Sequence, residues 1–470
     1  MKSQNNNETI GDKIKQLRNK QGLTQDELAR KSDLPYTTLT KIETNVITKP
    51  SIQTVVKIAK GLDTSLDNLI KWNIMNNKFI KIIMVIISFI TILVLSLLIL
   101  EGYFMKKTYL EPWNKNYYSQ FDDPRTQLIA HGILAANGHN MQNWKFKYDA
   151  ENNLAFDLYV DSNRLVREVD PKLTQTVISQ GTLFEYMVIA GEQLGYKLNF
   201  QIFPDGEYSE YPSNDELNSK RVAKIVLEKT EKKDNLLYSE MFKPDTSRVA
   251  YNQESITKGN IDLLKDFQEN DYAKNIEFIY VNEGEKYNQL KNIIRDSVKI
   301  ESGISRVMQE GVDIFRKNES EKNKFRYGFS FEGSALTGFN MHKLQVLLTL
   351  FPGMNNIDAS KKSFIAQTEM AVDKNSGFIL LSVDKNSRVN QFNVGRFYSD
   401  IQLQAHTMGL AVQPLSQPIE EYPEMKETYD KIHKTLVGEN KTILMLFRIG
   451  KPVMEVPKSM RQDVKNFTEK

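Results

Sequence analysis

Few residue types in this 470-residue chain could carry out covalent or metal chemistry. The chain contains no cysteine, which excludes thiolate nucleophiles, disulfides and cysteine-ligated zinc or iron–sulfur sites. The five histidines show no spacing typical of metal ligands: His131, His139, His342, His406 and His433. No side chain stands out as a general acid. By residue type alone, the region after residue 120 is a large mixed domain whose ligand is not identified.

The longest uncharged run, Ile82 to Leu100, divides the chain in two. Its 19 residues include no charged residue, proline or glycine. As a helix the run would rise about 28 Å, close to the hydrocarbon thickness of a bilayer. We therefore predict one transmembrane helix over 82–100, with a buried core helix as the alternative. A signal peptide is disfavoured, because about 80 residues with the pattern of a folded domain precede the run.

Charge is distributed unevenly along the chain. The net charge is +3, but residues 1–78 carry 13 Lys/Arg and 8 Asp/Glu, whereas the remainder carries 49 and 51. A basic small domain beside a near-neutral large one suggests that only the first binds nucleic acid. The polar residues 1–8 are predicted to form a disordered tail.

Residues 9–71 are predicted to form an all-α domain of short helices around one apolar core. The first helix ends near Gly22, and Thr24 with Glu27 has the pattern of a capping box for the second. A third helix is expected at about 36–44. Two short helices joined by a tight turn form a helix-turn-helix, which can place its second helix in the major groove of DNA.

Several strings in this domain are more specific: LTQDELA at 23–29, TTLTKIE at 37–43, Pro50-Ser51, and LDNL at 66–69. Together they resemble the Cro/lambda-repressor-like (XRE) family over about 60 residues. Asn45 stands where that family commonly has Gly. Since Asn tolerates a positive φ better than most residues, we expect the turn to be kept.

The resemblance implies a DNA-binding surface. Gln25 would lie at a helix start and contact a phosphate or a base edge. Five residues of the recognition helix would face DNA, the first three toward bases and the last two toward phosphates: Tyr36, Thr37, Lys41, Thr38 and Thr40. The alternative is a helical bundle whose polar residues are solvated and which binds protein. Because a single domain of this size binds DNA weakly, we expect a homodimer through the N-terminal domain.

The orientation in the lipid bilayer is not decided by charge. Close to the apolar run, three lysines precede it and three follow it: Lys71, Lys78 and Lys81, then Lys106, Lys107 and Lys115. DNA binding requires a cytoplasmic N-terminal domain, so with a single pass through the cell membrane the region after residue 101 is expected outside the cytoplasm. Residues 72–81 would be a linker. The aromatic-rich segment 101–120 suits either a membrane interface or a linker packed on the large domain.

Residues 121–470 alternate helical patterns with short β-branched runs, which favours an α+β or α/β domain. Strands are predicted at Trp144 to Tyr148, Leu154 to Val160, Leu198 to Phe203, Val222 to Leu227, Ile276 to Val281, Gly377 to Val383 and Thr442 to Ile449. Helices are predicted at 125–136, 172–195, 256–271, 284–298, 340–350, 391–408 and 423–437.

Three separated segments of this region carry a further resemblance. The first is AANGHNMQNW at 135–144; the second runs from Asp170-Pro171 through ISQG at 178–181 and LGY at 194–196 to FPD at 203–205. The third is GLAVQPLSQPIE at 409–420, followed by LFRIG at 446–450 and PKSMR at 457–461. In this order they resemble the nitroreductase-like superfamily, most closely its Acg-type branch, which joins two nitroreductase-like halves in one chain. Residues 120–240 and 241–461 would then form the two pseudo-repeated halves.

The resemblance implies an FMN site, with NAD(P)H as reductant. Asn140 and Gln142 would contact the flavin ring or lock the loop beside it, and Ser416 and Gln417 would approach its N5 and O4 atoms. The remaining four residues would serve the phosphate: Lys458, Arg461, Thr246 and Arg248. Pro244 and Asp245 replace basic or imidazole positions of the family's phosphate segment, so part of that cage is altered. The alternatives are strand capping by Asn140 and Gln142, a structural role for His139, and a solvated tail around Lys458 and Arg461.

Three functions follow from this architecture. The first is a membrane-anchored DNA-binding regulator whose C-terminal domain binds FMN or another small redox-active ligand. The second is a membrane-anchored, FMN-dependent NAD(P)H oxidoreductase. The third is a flavin-binding protein without catalysis.

Overall fold

The computed structural model describes residues 9–70, 77–438 and 440–469. The chain divides into two compact units between Leu95 and Ser96. The predicted tail 1–8 and the first part of the predicted linker, 72–76, lie outside the described residues.

The N-terminal unit contains a bundle of five short helices: α1 Ile10–Lys20, α2 Gln25–Lys31, α3 Tyr36–Glu43, α4 Ile52–Gly61 and α5 Leu66–Leu69. Thr9 and Thr24 each form a complete capping box, so the predicted box at Thr24 is confirmed. The buried core includes Ile14, Leu28, Leu39, Ile42, Val55, Ile58, Leu62 and Leu69. Asn45 adopts a φ of 60°, as expected for a residue that replaces Gly in a turn.

The next helix, α6, spans Asn77–Glu101. Over Lys81–Glu101 its mean hydropathy is 3.2, and it is the one helix among the described residues that is long and apolar enough to cross a membrane. None of its apolar window is buried within the described protein, which does not fit the alternative of a core helix.

The C-terminal unit combines eleven further α-helices of its described part with nine strands. The helices are α7 Pro124–Gly132, α8 Thr174–Leu194, α9 Asn214–Ser219, α10 Lys258–Lys265, α11 Gly284–Ser302, α12 Ser305–Asp313, α13 Glu319–Phe325, α14 Gly338–Leu350, α15 Ile357–Asp373, α16 Arg388–Thr407 and α17 Lys426–Leu436. The strands are β1 Trp144–Tyr148, β2 Ala155–Val160, β3 Tyr196–Ile202, β4 Ala223–Lys229, β5 Ile276–Val281, β6 Gly377–Val383, β7 Ala411–Pro414, β8 Thr442–Gly450 and β9 Thr468–Glu469.

The two sheets repeat one topology. The first has the order β3-β4-β2-β1-β9 and the second β5-β6-β8-β7. In each half, two antiparallel strands are followed by a long helix, α8 or α16, and then by two more antiparallel strands. The fourth strand of each half pairs with the second: β4 with β2, and β8 with β6. This repetition gives the two pseudo-repeated halves of the predicted α+β domain.

The halves differ in two places. The second half carries helices α11–α15 between its first two strands, where the first half has a short hairpin. The C-terminal strand β9 returns to the first half and pairs parallel with β1. As a result, residues 468–469 lie beside β1, and Gln462 N donates to Gln142 in the loop that precedes β1.

The aromatic segment that follows α6 packs on the C-terminal unit. Tyr109, Trp113 and Tyr117 are buried, and Trp113 donates a hydrogen bond from Nε1 to the Ser459 carbonyl at 2.8 Å. Residues 109–117 therefore pack on the large domain, whereas Tyr103 and Phe104 are exposed, and a membrane interface for the start of the segment stays a prediction.

Candidate functional site

The first candidate site is the face of α2 and α3 in the N-terminal unit. Tyr36, Thr37 and Lys41 are exposed on α3, while Thr38 and Thr40 are partly exposed. Gln25 lies at the start of α2, and its amide oxygen accepts hydrogen bonds from Tyr36 Oη at 3.3 Å and from Thr40 Oγ1 at 3.5 Å. All six predicted DNA-contacting residues therefore lie on these two helices, and three of them are in direct contact.

A buried ion pair holds this surface in place. Arg18 of α1 makes a two-point contact with Glu43 at the end of α3, with Nε–Oε1 and Nη2–Oε2 distances of 2.7 and 2.9 Å. Glu43 Oε2 also accepts a hydrogen bond from Gln25 Nε2 at 2.8 Å. Arg18 and Glu43 thus fix the side chain expected to touch DNA. This ion pair has no signal in the sequence, because α1 and the end of α3 meet only in the folded bundle.

The second candidate site is a cavity of about 870 Å³ in the C-terminal unit. Its floor comes from both halves: the loop after α7, one face of α8, α16, and the segments 413–419 and 444–446. The inserted helices α11, α12, α14 and α15 form the remaining wall. These helices and the segments that connect them are mostly apolar toward the cavity, with Phe315, Phe331, Leu344, Leu347, Leu348 and Phe364 among the lining residues. A cavity of this size can hold a ligand with the dimensions of a drug or cofactor.

The polar end of the cavity is arranged around Arg248. No hydrogen bond or ion pair satisfies its guanidinium among the described residues, and burial lowers its pKa. Three other residues of the lining have a polar atom that is buried without a hydrogen-bond partner in the described part of the chain: His139 Nδ1, Tyr398 Oη and Gln417 Oε1. The Arg248 charge acts on the first two. Buried polar groups are normally hydrogen-bonded, so this cluster is suited to a bound polar or anionic group.

His139 is a neutral member of this cluster. Burial, with the nearby Arg248 charge, lowers its pKa to about 4. Its ring packs edge-on against Phe329. A neutral imidazole can both donate and accept a hydrogen bond, but it adds no positive charge near neutral pH.

The loop that carries His139 is strained. His139, Asn140 and Gln142 all have positive φ values, between 51° and 52°. The Asn140 amide donates to the carbonyls of Gly328 and Met460, and the fully buried Gln142 donates to the Arg326 carbonyl and accepts from Gln462 N. Neither residue lines the cavity. Both side chains bond to the backbone of other segments, and their role toward a flavin stays a prediction.

Four of the eight predicted flavin-site residues line the cavity: Thr246, Arg248, Ser416 and Gln417. Ser416 donates from Oγ to Glu420 Oε1 at 3.0 Å, whereas the Gln417 amide oxygen is free within the described chain.

The predicted cation pair near the C terminus lies away from the cavity. Arg461 is fully buried, contacts Asp245 Oδ2 at 3.1 Å, and donates to the Asn140 side chain and to the carbonyls of Leu134 and Ala135. Lys458 lies 5.5 Å above the Trp113 ring. Arg461 therefore acts as an internal cross-link in the structure, because its charge is already balanced by Asp245.

Two carboxyl groups in the cavity wall were not foreseen, because their helices α11 and α12 carry no recognised motif. Glu301 is buried, and its pKa is raised well above the usual value by burial and by Glu420. Burial raises the pKa of Glu310 to about 7, although its carboxylate accepts from Glu168 N and Val169 N. Glu310 can therefore exchange a proton near neutral pH.

The N-terminal unit is similar to known helix-turn-helix proteins. Residues 14–69 match the helix-turn-helix family HTH_3. The HTH-type transcriptional regulator SinR of Bacillus subtilis is 41% identical over 61 residues, which are 13% of this chain and 55% of SinR. The chain thus spans about half the length of this relative. The N-terminal unit is an XRE-type helix-turn-helix domain.

The C-terminal unit is similar to solved FMN enzymes. Iodotyrosine deiodinase bound to FMN and 3-iodo-L-tyrosine is 14% identical over 48% of this chain and 95% of its own, with a TM-score of 0.29. The FMN- and NADPH-dependent nitroreductase NfnB of a Sphigopyxis strain is 14% identical over 49% and 96%, with a TM-score of 0.30. The strands and helices of the unit form an α+β fold, and likeness at this level gives no information about ligand or activity.

Proposed function

We propose that this protein is a membrane-anchored DNA-binding regulator whose nitroreductase-like domain binds FMN or another redox-active ligand with an anionic group. The observation that carries the proposal is the guanidinium of Arg248, which lines a large apolar cavity and has no hydrogen-bond partner among the described residues. The nearby charge is Asp245, which already contacts Arg461, so an anionic ligand would offset the cost of burying two cations beside one carboxylate.

The cavity residues fit the chemical groups of FMN. Arg248 and Thr246 would hold the phosphate, since a guanidinium and a hydroxyl are both donors to phosphate oxygens. Gln417, Ser416 and the neutral His139 would hydrogen-bond the polar edge of the ring, and the apolar wall would cover its hydrocarbon edge. When bound, the flavin would supply hydride or electron transfer. Lys458 and Arg461 are not needed in this arrangement.

The DNA-binding half of the proposal rests on the α2–α3 surface. Tyr36, Thr37 and Lys41 are exposed, Tyr36 Oη donates to Gln25, and Gln25 is held at the helix start by Glu43. Two copies of the domain would read two half-sites, which makes dimerisation the natural step for a ligand to control. The ligand must bind one association state more tightly than the other to act as a signal.

A single observation favours the oxidoreductase as a second candidate function. Glu310 lines the cavity and has a pKa of about 7, as a proton donor or acceptor in catalysis would require. In that case NAD(P)H would be the reductant, and the N-terminal domain would only recruit or anchor the enzyme.

The test is flavin binding by the purified full-length protein in lipid nanodiscs. We expect the wild type to retain FMN through gel filtration, with its visible absorbance bands, and the Arg248→Gln variant to bind it at least about tenfold more weakly, since one charged hydrogen bond is worth roughly 1.5–3 kcal/mol. Lys265→Gln removes an exposed positive charge outside the cavity and serves as the matched control.

The subsequent assays separate the three functions. Fluorescence anisotropy with the same nanodisc protein measures the affinity for DNA with and without added FMN. Flavin that alters DNA affinity supports the regulator. Flavin reduced by NADH or NADPH with turnover of a quinone supports the enzyme, and flavin that does neither indicates storage. A wild-type protein that binds no FMN and no other anionic aromatic compound contradicts the proposal.

A further inference from the structure

A second polar cluster lies at the C-terminal end of α6, away from the cavity. Glu101, Glu319 and His342 are all buried, and one potential ligand atom from each lies within 4.8 Å of the other two. The residues come from the last turn of α6, the first turn of α13 and the first turns of α14. His342 Nδ1 lies 3.0 Å from Glu101 Oε1.

The charges of this cluster do not balance. It contains three carboxylates, because Glu332 joins Glu319 through their shared contact with Lys322, at 2.5 Å from each. Lys322 is fully buried and is the lysine that contacts Glu319 and Glu332. The buried carboxyl groups therefore outnumber the lysine in contact with them, and burying uncompensated charge is expensive.

Several acceptor oxygens of the cluster have no hydrogen-bond partner among the described residues and are suited to a cation. Within the described residues, Glu101 Oε2, Glu332 Oε2 and Gln345 Oε1 are buried without any hydrogen-bond partner. Glu101 and Gln345 are completely inaccessible to solvent, and Gln345 reaches the cluster through its amide nitrogen, 3.2 Å from Glu319 Oε1. All three unused atoms are acceptors, so a cation satisfies them and a neutral hydrophobic group does not.

We propose that Glu101, Glu319 and His342 bind a divalent transition-metal ion. Two carboxylates and one imidazole form the mixed oxygen and nitrogen donor set that Zn²⁺ or Mn²⁺ accepts, whereas Ca²⁺ prefers a larger set of oxygens. A dication would also offset the excess of carboxyl groups over the lysine that contacts them. The Gln345 amide oxygen offers a further neutral donor, and Lys322 continues to bridge Glu319 and Glu332.

The ion would join three elements at one point. Glu101 ends the apolar helix, and His342 lies on α14, whose next turns place Leu344, Leu347 and Leu348 in the cavity wall. The metal would therefore fix the end of α6 to a helix that contacts the cavity ligand. This inference does not depend on the identity of that ligand.

The experiment is a metal titration of the full-length, tag-free protein in nanodiscs after treatment with a chelator. Isothermal titration with Zn²⁺ alone is expected to give one site per chain, weakened at least about tenfold by Glu101→Gln and by His342→Gln. Glu427→Gln, an exposed carboxylate on α17, is the control and should leave the site unchanged. Equal binding by the wild type and both cluster variants would overturn the proposal.

A second measurement needs no variant. Mn²⁺ bound to the wild type should show electron spin echo modulation from a directly bound imidazole nitrogen, since His342 is the cluster's one histidine among the described residues. Stoichiometric Mn²⁺ without nitrogen modulation, or no bound Mn²⁺, would contradict the site. Flavin binding can be measured on the same samples, so failure of this proposal is distinguishable from failure of the proposed function.

Discussion

Gly181 and Gly395 occupy equivalent places in the two halves, and each lies directly against the backbone of the other's helix. A β-carbon on Gly181 would come 1.9 Å from the Phe392 carbonyl oxygen, and one on Gly395 would come 2.0 Å from the Ile178 carbonyl oxygen. Each carbonyl belongs to the residue three positions before the opposite glycine. This reciprocal contact places a local pseudo-twofold axis between α8 and α16, whose packing joins the two halves.

The reciprocal contact predicts an unusual intolerance to a single methyl group. Gly181→Ala or Gly395→Ala should destabilise the C-terminal unit by about 1–3 kcal/mol or more, because neither backbone can move without disturbing both cores. Denaturant unfolding followed by tryptophan fluorescence measures the change. Gly259→Ala in α10 is the control: no atom lies within 4 Å of its β-carbon, so it should be neutral or stabilising. Wild-type stability in either interface variant would refute this account of the axis.

The ion pair between Arg18 and Glu43 predicts a coupled loss of stability and DNA binding. Glu43→Ala leaves the buried Arg18 without its partner, so we expect a loss of about 3–5 kcal/mol in the N-terminal unit. It also releases Gln25, and DNA affinity should fall even where the domain remains folded. Asp26→Ala, which breaks the exposed contact with Arg30, should cost less than about 1 kcal/mol. Thermal unfolding and anisotropy titration, performed on the same samples, test both effects; DNA affinity that is unchanged in folded Glu43→Ala would show that the network does not position the interface.

Local patterns predicted the elements of this protein better than its long-range contacts. Seven predicted strands correspond to β1–β6 and β8, because β-branched runs bounded by turn residues are visible within a few positions. β7 has four residues and ends in a proline, and β9 has two, so neither had a detectable pattern. Helices α12, α13 and α15 of the inserted segment were also missed, and with α12 and α15 part of the cavity wall.

The candidate site shows the same limit. Thr246, Arg248, Ser416 and Gln417 were predicted from short motifs and reach the cavity. Arg461 belongs to a motif just as plausible, but its charge is balanced by Asp245, more than two hundred positions earlier in the chain. A motif shows which side chains are available; only the fold decides which charges remain free for a ligand.

The raised pKa of Glu310 predicts a dependence of stability on pH. A carboxyl group whose pKa is about 7 when folded and near 4.5 when unfolded binds its proton more tightly in the folded state. Its contribution to stability is therefore complete below about pH 4.5 and is lost as pH rises through 7. Glu310→Gln should remove this part of the pH dependence, so the variant should gain stability relative to the wild type at pH 8 and not at pH 4.5.

Denaturant titrations of Glu310→Gln and the wild type at both pH values measure this difference in stability. A gain of equal size at both pH values would assign the effect to packing. Asp262→Asn on the exposed face of α10 is the matched control.

The absence of cysteine makes the membrane orientation directly measurable. Thr48→Cys and Ser255→Cys each introduce one exposed thiol, the first in the N-terminal bundle and the second in the C-terminal unit. With a single span at α6, an impermeant maleimide added to intact cells should label Ser255→Cys and leave Thr48→Cys unlabelled until the cells are lysed. The wild type supplies a background of zero. Labelling of both thiols before lysis, or of neither, would contradict a single pass with a cytoplasmic DNA-binding domain, and labelling of Thr48→Cys alone would reverse the proposed orientation.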